Sequence, residues 1–553
     1  MMKENLTQLL EGSIRKNWNM PALGNYNGEL ITYAEAGKKI AQLHLIFEIC
    51  QVKQGEKISL VGKNSINWGI TYLATITYGA VIVPVLPDFK PNDIQHIVNH
   101  SDSRLLFIAD AIFENLTRDQ MKEVDYIFSL SDFTLLCDCK STKIKKNLDS
   151  IDDQFNKKYP EGLNQENFKL PTVENKSMAV LSYTSGTTGF TKGVMLTHNN
   201  LVANVVYANE NMPLEPGDKI VSFLPLAHAY GCAFEFLWPF NLGCHITFLT
   251  KTPSPQIILK AFSEIKPRLV LAVPLILEKI YKKQILPVIS KSSMKTLLKL
   301  PVINKVIESK VKKKLMDAFG GNFHEVVIGG APLSKEVEVF LNKIRFPFSI
   351  GYGMTECAPL ISYANWDKTR LGSAGKVVDS MEIKIDSEDP ENIAGEIMVK
   401  GENVMLGYYK NPEATKATIE PDGWMHTGDL GLIDKDGFVY IKGRSKSMIL
   451  GASGQNIYPE EIEARFNNLD FVQESLVVEK DGRLVALIYP DYELADKRGF
   501  TDKELKDVFE KHRKNLNEIL PAYMNIASTR IFAEEFEKTP KKSIKRFLYD
   551  QID

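Results

Sequence analysis

Residues 183–194 read Tyr-Thr-Ser-Gly-Thr-Thr-Gly-Phe-Thr-Lys-Gly-Val. Glycine lets a backbone turn its N–H groups toward an anion. The hydroxyls of Thr184, Ser185, Thr187 and Thr188 add neutral donors, and Lys192 adds a positive charge. Such a set can cradle a triphosphate. It is not the G-x-x-x-x-G-K-[ST] loop, because Gly186 and Gly189 stand too close together and Lys192 is followed by Gly193. A threonine-rich surface loop is the plainer reading. Against it, the loop directly follows Met178-Ala-Val-Leu-Ser-Tyr183, an apolar run that reads as a buried strand.

The loop resembles the phosphate-binding signature of the AMP-forming acyl- and aryl-CoA synthetases, relatives of luciferases and peptide-synthetase adenylation domains. The chemistry implied is two-step. A carboxylate is a poor electrophile, so it attacks the α-phosphate of ATP and becomes an acyl adenylate, from which AMP leaves readily when a thiol arrives. ATP, Mg²⁺ and CoA are the expected companions.

Further segments match that family in order and spacing. Gly329-Gly-Ala-Pro-Leu-Ser334 resembles its adenine-binding turn, which brings Gly330, Ala331 and Pro332 to the base; alone, it could be any strand-end turn. Gly351-Tyr-Gly-Met-Thr-Glu356 is more specific. By resemblance Tyr352 stacks on adenine with Gly353 beside it, Thr355 contacts the α-phosphate and Glu356 holds Mg²⁺. In Trp424-Met-His-Thr-Gly-Asp-Leu430 the resemblance makes Asp429 the acceptor for both ribose hydroxyls, with Arg444 a second ribose contact; the plain alternative is a turn carboxylate. Leu224-Pro-Leu-Ala-His-Ala-Tyr-Gly231 borders the acyl carboxylate in relatives, which makes His228 a gate residue rather than a packed histidine. Lys446 falls at the family's hinge. Gly454, in the segment beginning Gly451-Ala-Ser-Gly-Gln-Asn, leaves room for the pantetheine arm of CoA.

The C-terminus departs from the pattern. The family ends in Pro-x-Thr-x-x-Gly-Lys-Ile-x-Arg, whose lysine contacts the carboxylate and the α-phosphate during adenylation. Here Glu537-Lys-Thr-Pro-Lys-Lys-Ser-Ile-Lys-Arg546 puts Ser543 at that lysine's place. Lys542 lies one residue away, about 3.3–3.6 Å along an extended chain, and is expected to take over the role, with Lys541 next. Val273-Pro-Leu-Ile-Leu-Glu-Lys-Ile-Tyr281 resembles a segment of the long-chain fatty acyl members, with Leu275 in place of an arginine. A medium- or long-chain fatty acid is therefore the expected substrate. Two other readings stay open: transfer to an acyl-carrier protein, and a non-catalytic member that binds acyl chains or nucleotide.

These residues need a scaffold, and the first half of the chain supplies one. Helical spacing over 33–46 and 67–78, with strand-like runs at 57–61, 81–85 and 104–108, predicts an α/β fold of helix-covered, mainly parallel sheets. Residues 141–177 are polar and lysine-rich, as a surface connection would be. A hairpin over 434–442 precedes Gly443-Arg-Ser-Lys446. A compact α+β unit follows, with a hairpin across Asp481-Gly482. The expected division is an ATP- and acyl-binding domain at 1–443 and a mobile domain at 444–553.

Composition sets the remaining bounds. The 553 residues suffice for three to four units of about 150 residues. A net charge of −2 provides no field to draw nucleic acid. Six scattered cysteines imply free thiols in a reducing compartment, and Cys137-Asp-Cys139 lacks the second pair a zinc site needs, so it reads as structural. No apolar signal core opens the chain, which points to the cytoplasm. The uncharged run 69–87 is long enough to imitate a membrane span, but Gly79, Pro84 and Pro87 favour a helix-to-strand transition. Residues 281–314 carry ten lysines against one acid, Glu308. An exposed helical insertion, a cap over an acyl entrance and a peripheral membrane contact all fit that composition. Oligomeric state is not legible.

Overall fold

The computed structural model describes residues 1–140, 144–185, 191–251, 254–289, 301–450, 456–480, 482–539 and 544–549. Its largest sheet has eight strands. Across the sheet they run Gly407–Tyr408, Thr191–Thr197, Met178–Ser185, Val81–Val85, Lys57–Val61, Ser103–Ile108, Tyr126–Ser129 and Leu135–Asp138. The strands from Met178–Ser185 to Tyr126–Ser129 are mutually parallel, and antiparallel pairs close both ends. Parallel strands must be covered on both faces, which is why Val81–Val85 is buried at every position.

The uncharged run 69–87 is resolved by local chemistry. Ser65 caps the helix Ile66–Tyr78 by accepting from the Trp68 N–H, and Gly79 ends it in the left-handed region at φ 88°. The chain then enters the strand Val81–Val85. No helix among the described residues is long and apolar enough to cross a membrane. Helix Tyr33–Ile49 starts with a reciprocal capping box between Thr32 and Glu35.

A second parallel sheet joins Leu269–Ala272, Glu325–Ile328 and Phe348–Ile350. A third is parallel apart from its edge strand Leu30–Thr32. The α/β fold expected from sequence is present. After residue 350 the pairing turns antiparallel as far as Arg444: Met381–Asp386, Gly395–Gly401, Met425–Ile433 and Val439–Arg444 form an antiparallel sheet. Residues 144–177 are more than a surface connection. They hold helices Lys145–Asp149 and Ile151–Lys158 and bury Phe155 and Phe168. Each such fully buried aromatic contributes about 1.5–3 kcal/mol over exposure.

Within the lysine-rich stretch, helix Pro301–Ala318 buries Leu315 while Lys305, Lys310, Lys313 and Lys314 face outward. Its Glu308 pairs with Lys343 at 3.0 Å. The lysine side chains at 283, 291, 295 and 299 lie outside the described residues. From Ile457 onward the chain has its own core, including Ile462, Phe466, Val477, Ile488 and Phe509. Antiparallel Val472–Lys480 and Arg483–Pro490 are joined there by Ile526–Ile531, parallel to the second.

Candidate active site

Three parallel strands end side by side at the site. Ala272, Ile328 and Ile350 are in register at the C-terminal ends of their strands, so the turns after each emerge together. In open α/β sheets this edge is where ligands bind. Gly329 follows one strand and approaches Tyr230 so closely that a Cβ would sit 3.0 Å from its ring. Gly330 follows at φ 84°, and Ala331 and Pro332 are exposed beyond it. Tyr352 and Gly353 follow the neighbouring strand.

Tyr352 meets the second sequence cluster. Its hydroxyl donates to Asp429 Oδ2 at 2.6 Å, and Arg444 Nε pairs with Asp429 Oδ1 at 2.8 Å. Asp429 and Arg444 are cross-strand partners of the hairpin before residue 445. Burial pushes the Asp429 carboxyl up, while the Arg444 guanidinium and the Tyr352 hydroxyl pull it back. The tyrosine itself is raised well above its ordinary value, first by burial and then by Asp429.

The turn holding Asp429 is braced by residues that the sequence reading passed over. Glu396 accepts from the Gly428 N–H at 2.9 Å and contacts His426 Nδ1 at 2.9 Å; Glu420 contacts His426 Nε2 at 3.1 Å. The hydrogen bond with Glu396 leads the causes that raise the His426 pKa. A raised folded value means the stabilisation is complete below the unfolded value of about 6.5 and is lost as pH climbs through the folded one. The melting advantage of wild type over His426→Gln is therefore expected to be largest in acid and to fade above neutrality. Melts across that range check it; an advantage that grows with pH would contradict the assignment.

Thr184 and Lys192 face each other across the hairpin of Met178–Ser185 and Thr191–Thr197. Ser185 pairs with Thr191 at its mouth. Gly186, Thr187 and Thr188 lie outside the described residues. The Lys192 ammonium sits over the Tyr408 ring, 4.6 Å from its centroid, and the Tyr408 hydroxyl donates to Glu356 Oε1 at 2.9 Å. Tyr408 was not singled out from sequence; Gly407-Tyr-Tyr-Lys410 was its only local signal.

Thr355 and Glu356 belong to the 3₁₀ turn Thr355–Cys357, where Thr355 is half-buried and Glu356 is 8% exposed. The turn is held by the Met354 N–H bonding to the Pro359 carbonyl at 2.9 Å. A Cβ on Gly353 would collide with that same carbonyl. Gly353→Ala is thus expected to cost about 3 kcal/mol and to lower Tm by roughly 3 °C. Calorimetry checks it.

The donor set at Glu356 fits Mg²⁺. The ion takes one or two carboxylates and fills its shell with substrate phosphates and water. Among the described residues no group of three His, Cys, Asp or Glu could cage a metal, whereas one buried carboxylate stands beside the Thr184–Lys192 hairpin.

His228 is half-buried and begins the helical turn Ala229–Gly231. Its segment is clamped from two sides. Glu235, fully buried, accepts from the Phe223 and Leu224 N–H groups, both at 3.0 Å. Asn64 donates to the Leu224 carbonyl at 2.8 Å and accepts from the Leu226 N–H at 3.0 Å. Burial drives the Glu235 carboxyl well above its ordinary pKa. A lone acid in the apolar run Cys232-Ala-Phe-Glu-Phe-Leu237 was the signal that could have found it. Beside this segment an apolar cavity is lined by Tyr72, Val180, Leu201, Leu226, Cys232 and Leu237, with Ala358 near Glu356.

Lys446 is exposed in the 3₁₀ turn Ser445–Ser447. Gly454, Lys541, Lys542 and Ser543 fall outside the described residues. Their flanks are fixed: Lys538 bridges Ile544, and Arg546 pairs with Glu463.

Residues 10–409 match the family model described as AMP-binding enzyme. The chain is 29% identical over 496 residues to a long-chain-fatty-acid–CoA ligase of Salmonella typhimurium (strain LT2), covering 86% of this chain and 83% of that one. Among solved structures it is similar to the anthranilate CoA ligase AuaEII in complex with anthranoyl-AMP. That match has a TM-score of 0.77 and 18% identity, covering 99% of this chain and 96% of that one. It is also similar to the o-succinylbenzoate CoA synthetase of Bacillus subtilis in complex with ATP and magnesium ion, with a TM-score of 0.73, 21% identity and 98% of each chain covered. With the match spanning most of its length, the chain belongs to the AMP-binding enzyme family.

Proposed function

We propose that the protein is an AMP-forming acid–thiol ligase that activates a medium- or long-chain fatty acid and passes it to CoA. One observation carries the reading. The Thr184–Lys192 hairpin mouth, the Glu356 carboxylate and the Tyr352–Asp429–Arg444 cluster converge around the C-terminal ends of parallel strands. They supply, in turn, groups for phosphate, metal and ribose.

In this reading a fatty carboxylate oxygen attacks the α-phosphorus, the bond to the β-phosphate oxygen breaks and pyrophosphate leaves. Thr184, Ser185, Gly186, Thr187, Thr188 and Lys192 hold the phosphates, and Thr355 orients the α-phosphate. Gly330, Ala331, Pro332, Tyr352 and Gly353 frame the adenine; Asp429 and Arg444 hold the ribose. Glu356 would hold Mg²⁺, which when bound neutralises phosphate charge. His228 stands at the acyl carboxylate, and Lys542 stabilises charge developing at the α-phosphorus. Residues 444–553 then pivot about Lys446, so that the Gly454 segment meets pantetheine. The CoA sulfur attacks the acyl carbon and AMP departs.

The walls beside His228 are apolar, as an apolar acid requires, and the cavity they enclose, about 20 Å³, must widen to admit an acyl chain. The name of the 29%-identical relative supports a long-chain one. The fold itself is shared with proteins named for anthranilate and o-succinylbenzoate. Pyrophosphate release from ATP with palmitate, with and without CoA, tests the proposal. Release that needs the fatty acid, with sustained AMP formation only when CoA is present, is expected. Acid-dependent release that CoA does not sustain would redirect the acceptor to a carrier protein. Silence with every fatty and aryl acid would leave a binding protein.

A further inference from the structure

The geometry points to Tyr408 as a positioning residue that holds the Mg²⁺ carboxylate Glu356 and the phosphate lysine Lys192 at a fixed separation. This inference rests on the proposed role of Glu356. One side chain serves both charges. Its hydroxyl donates to Glu356 Oε1 at 2.9 Å, while its ring face carries the Lys192 ammonium at 4.6 Å. A ring within about 6 Å of a cation attracts it through the quadrupole, so the lysine is restrained before any phosphate arrives. The phenol occupies one carboxylate oxygen, Oε1.

The backbone around Tyr408 is equally constrained. Tyr408 pairs with Val194 in the same sheet as Lys192, and the Tyr409 N–H bonds to the Gly193 carbonyl at 2.7 Å. The Met405 N–H bonds to the Glu356 carbonyl at 2.9 Å, so one strand end is tied to both partners. The Tyr408 N–H also donates to Thr415 Oγ1 at 2.9 Å. Tyr408 is only 7% exposed, so its ring and hydroxyl are held by packing. Hydrogen-bond partners of metal ligands typically govern affinity by about 10–100-fold, because they fix the ligand's orientation.

The test is Mn²⁺ binding in the presence of ATP and the absence of any acid, read from the free-ion signal by electron paramagnetic resonance. Tyr408→Phe keeps the ring and its packing and removes only the donor. It is expected to weaken Mn²⁺ binding about tenfold or more, while the KM for the fatty acid stays unchanged. Glu356→Gln is expected to weaken Mn²⁺ binding further, and the double variant to match Glu356→Gln alone, since the two residues act through one contact. Wild-type Mn²⁺ affinity in Tyr408→Phe beside a weakened Glu356→Gln overturns the positioning role and spares the metal assignment. Wild-type affinity in Glu356→Gln overturns both. A fully additive double variant shows that Tyr408 acts elsewhere, which also overturns the proposal. Circular dichroism of Tyr408→Phe establishes that the fold is intact.

Discussion

Asp429→Ala is expected to raise the KM for ATP about a hundredfold while leaving the fold intact. The carboxylate is buried between two donors, the Tyr352 hydroxyl at 2.6 Å and Arg444 Nε at 2.8 Å. In the proposed site the same carboxylate accepts from both ribose hydroxyls, and a hydrogen bond to a charged group contributes about 1.5–3 kcal/mol. A loss near 3 kcal/mol, at 1.4 kcal/mol per decade, is about two orders of magnitude. Asp429→Asn still accepts from Tyr352 and forfeits only the charge, so a loss of about tenfold is expected. Pyrophosphate exchange at saturating fatty acid measures both. An unchanged KM in Asp429→Ala would remove this residue from the nucleotide site.

The second large effect concerns the lysine that the family pattern places at 543. Ile544 packs beside the cluster of Leu476, Val478, Leu487 and Phe536, and Arg546 pairs with Glu463 and Glu460. These two anchors follow Ser543 directly in the sequence, at the positions the family pattern gives to its isoleucine and arginine. Lys542→Ala is expected to slow adenylation by about 10²–10³, the usual loss of one charge-stabilising donor. Thioester formation from a supplied acyl adenylate is expected to proceed normally. Lys541→Ala should change little, and Ser543→Lys should restore the rate in the Lys542→Ala background. Full adenylation in Lys542→Ala would end this assignment.

What the sequence made legible was local. Hydrophobic period and breakers located the helix Ile66–Tyr78, the strand Val81–Val85 and the hairpin ending at Arg444, because caps, glycines and alternation act within a few residues. The residues Thr184, Lys192, Glu356, Tyr352, Asp429 and Arg444 could be nominated from their motifs, and the folded chain brings them together. Their supports could not be nominated. Tyr408 reaches Val194 and Glu356, and Glu396 reaches His426, only through pairings remote in sequence. Glu235 is marked only as a lone acid in an apolar run, and its task is illegible until its two backbone partners are known. The antiparallel sheet from Met381 to Arg444 was illegible for the same reason: its register depends on contacts between segments, not on the pattern within one.

The edge strand Gly407–Tyr408 carries a further consequence, for the order in which the protein can be made. It pairs with Thr191–Thr197. A ribosome must therefore add about two hundred residues after the phosphate hairpin before that sheet edge can be covered. At ~5–20 residues per second the delay is on the order of 10–40 s. Until then the hairpin displays an unpaired strand, the kind of edge that recruits other chains. A nascent polypeptide halted just before residue 407 would carry the whole 178–197 sequence with the edge of its last strand, Thr191–Thr197, unpaired. Holding factors at the tunnel exit would find a long-lived target there.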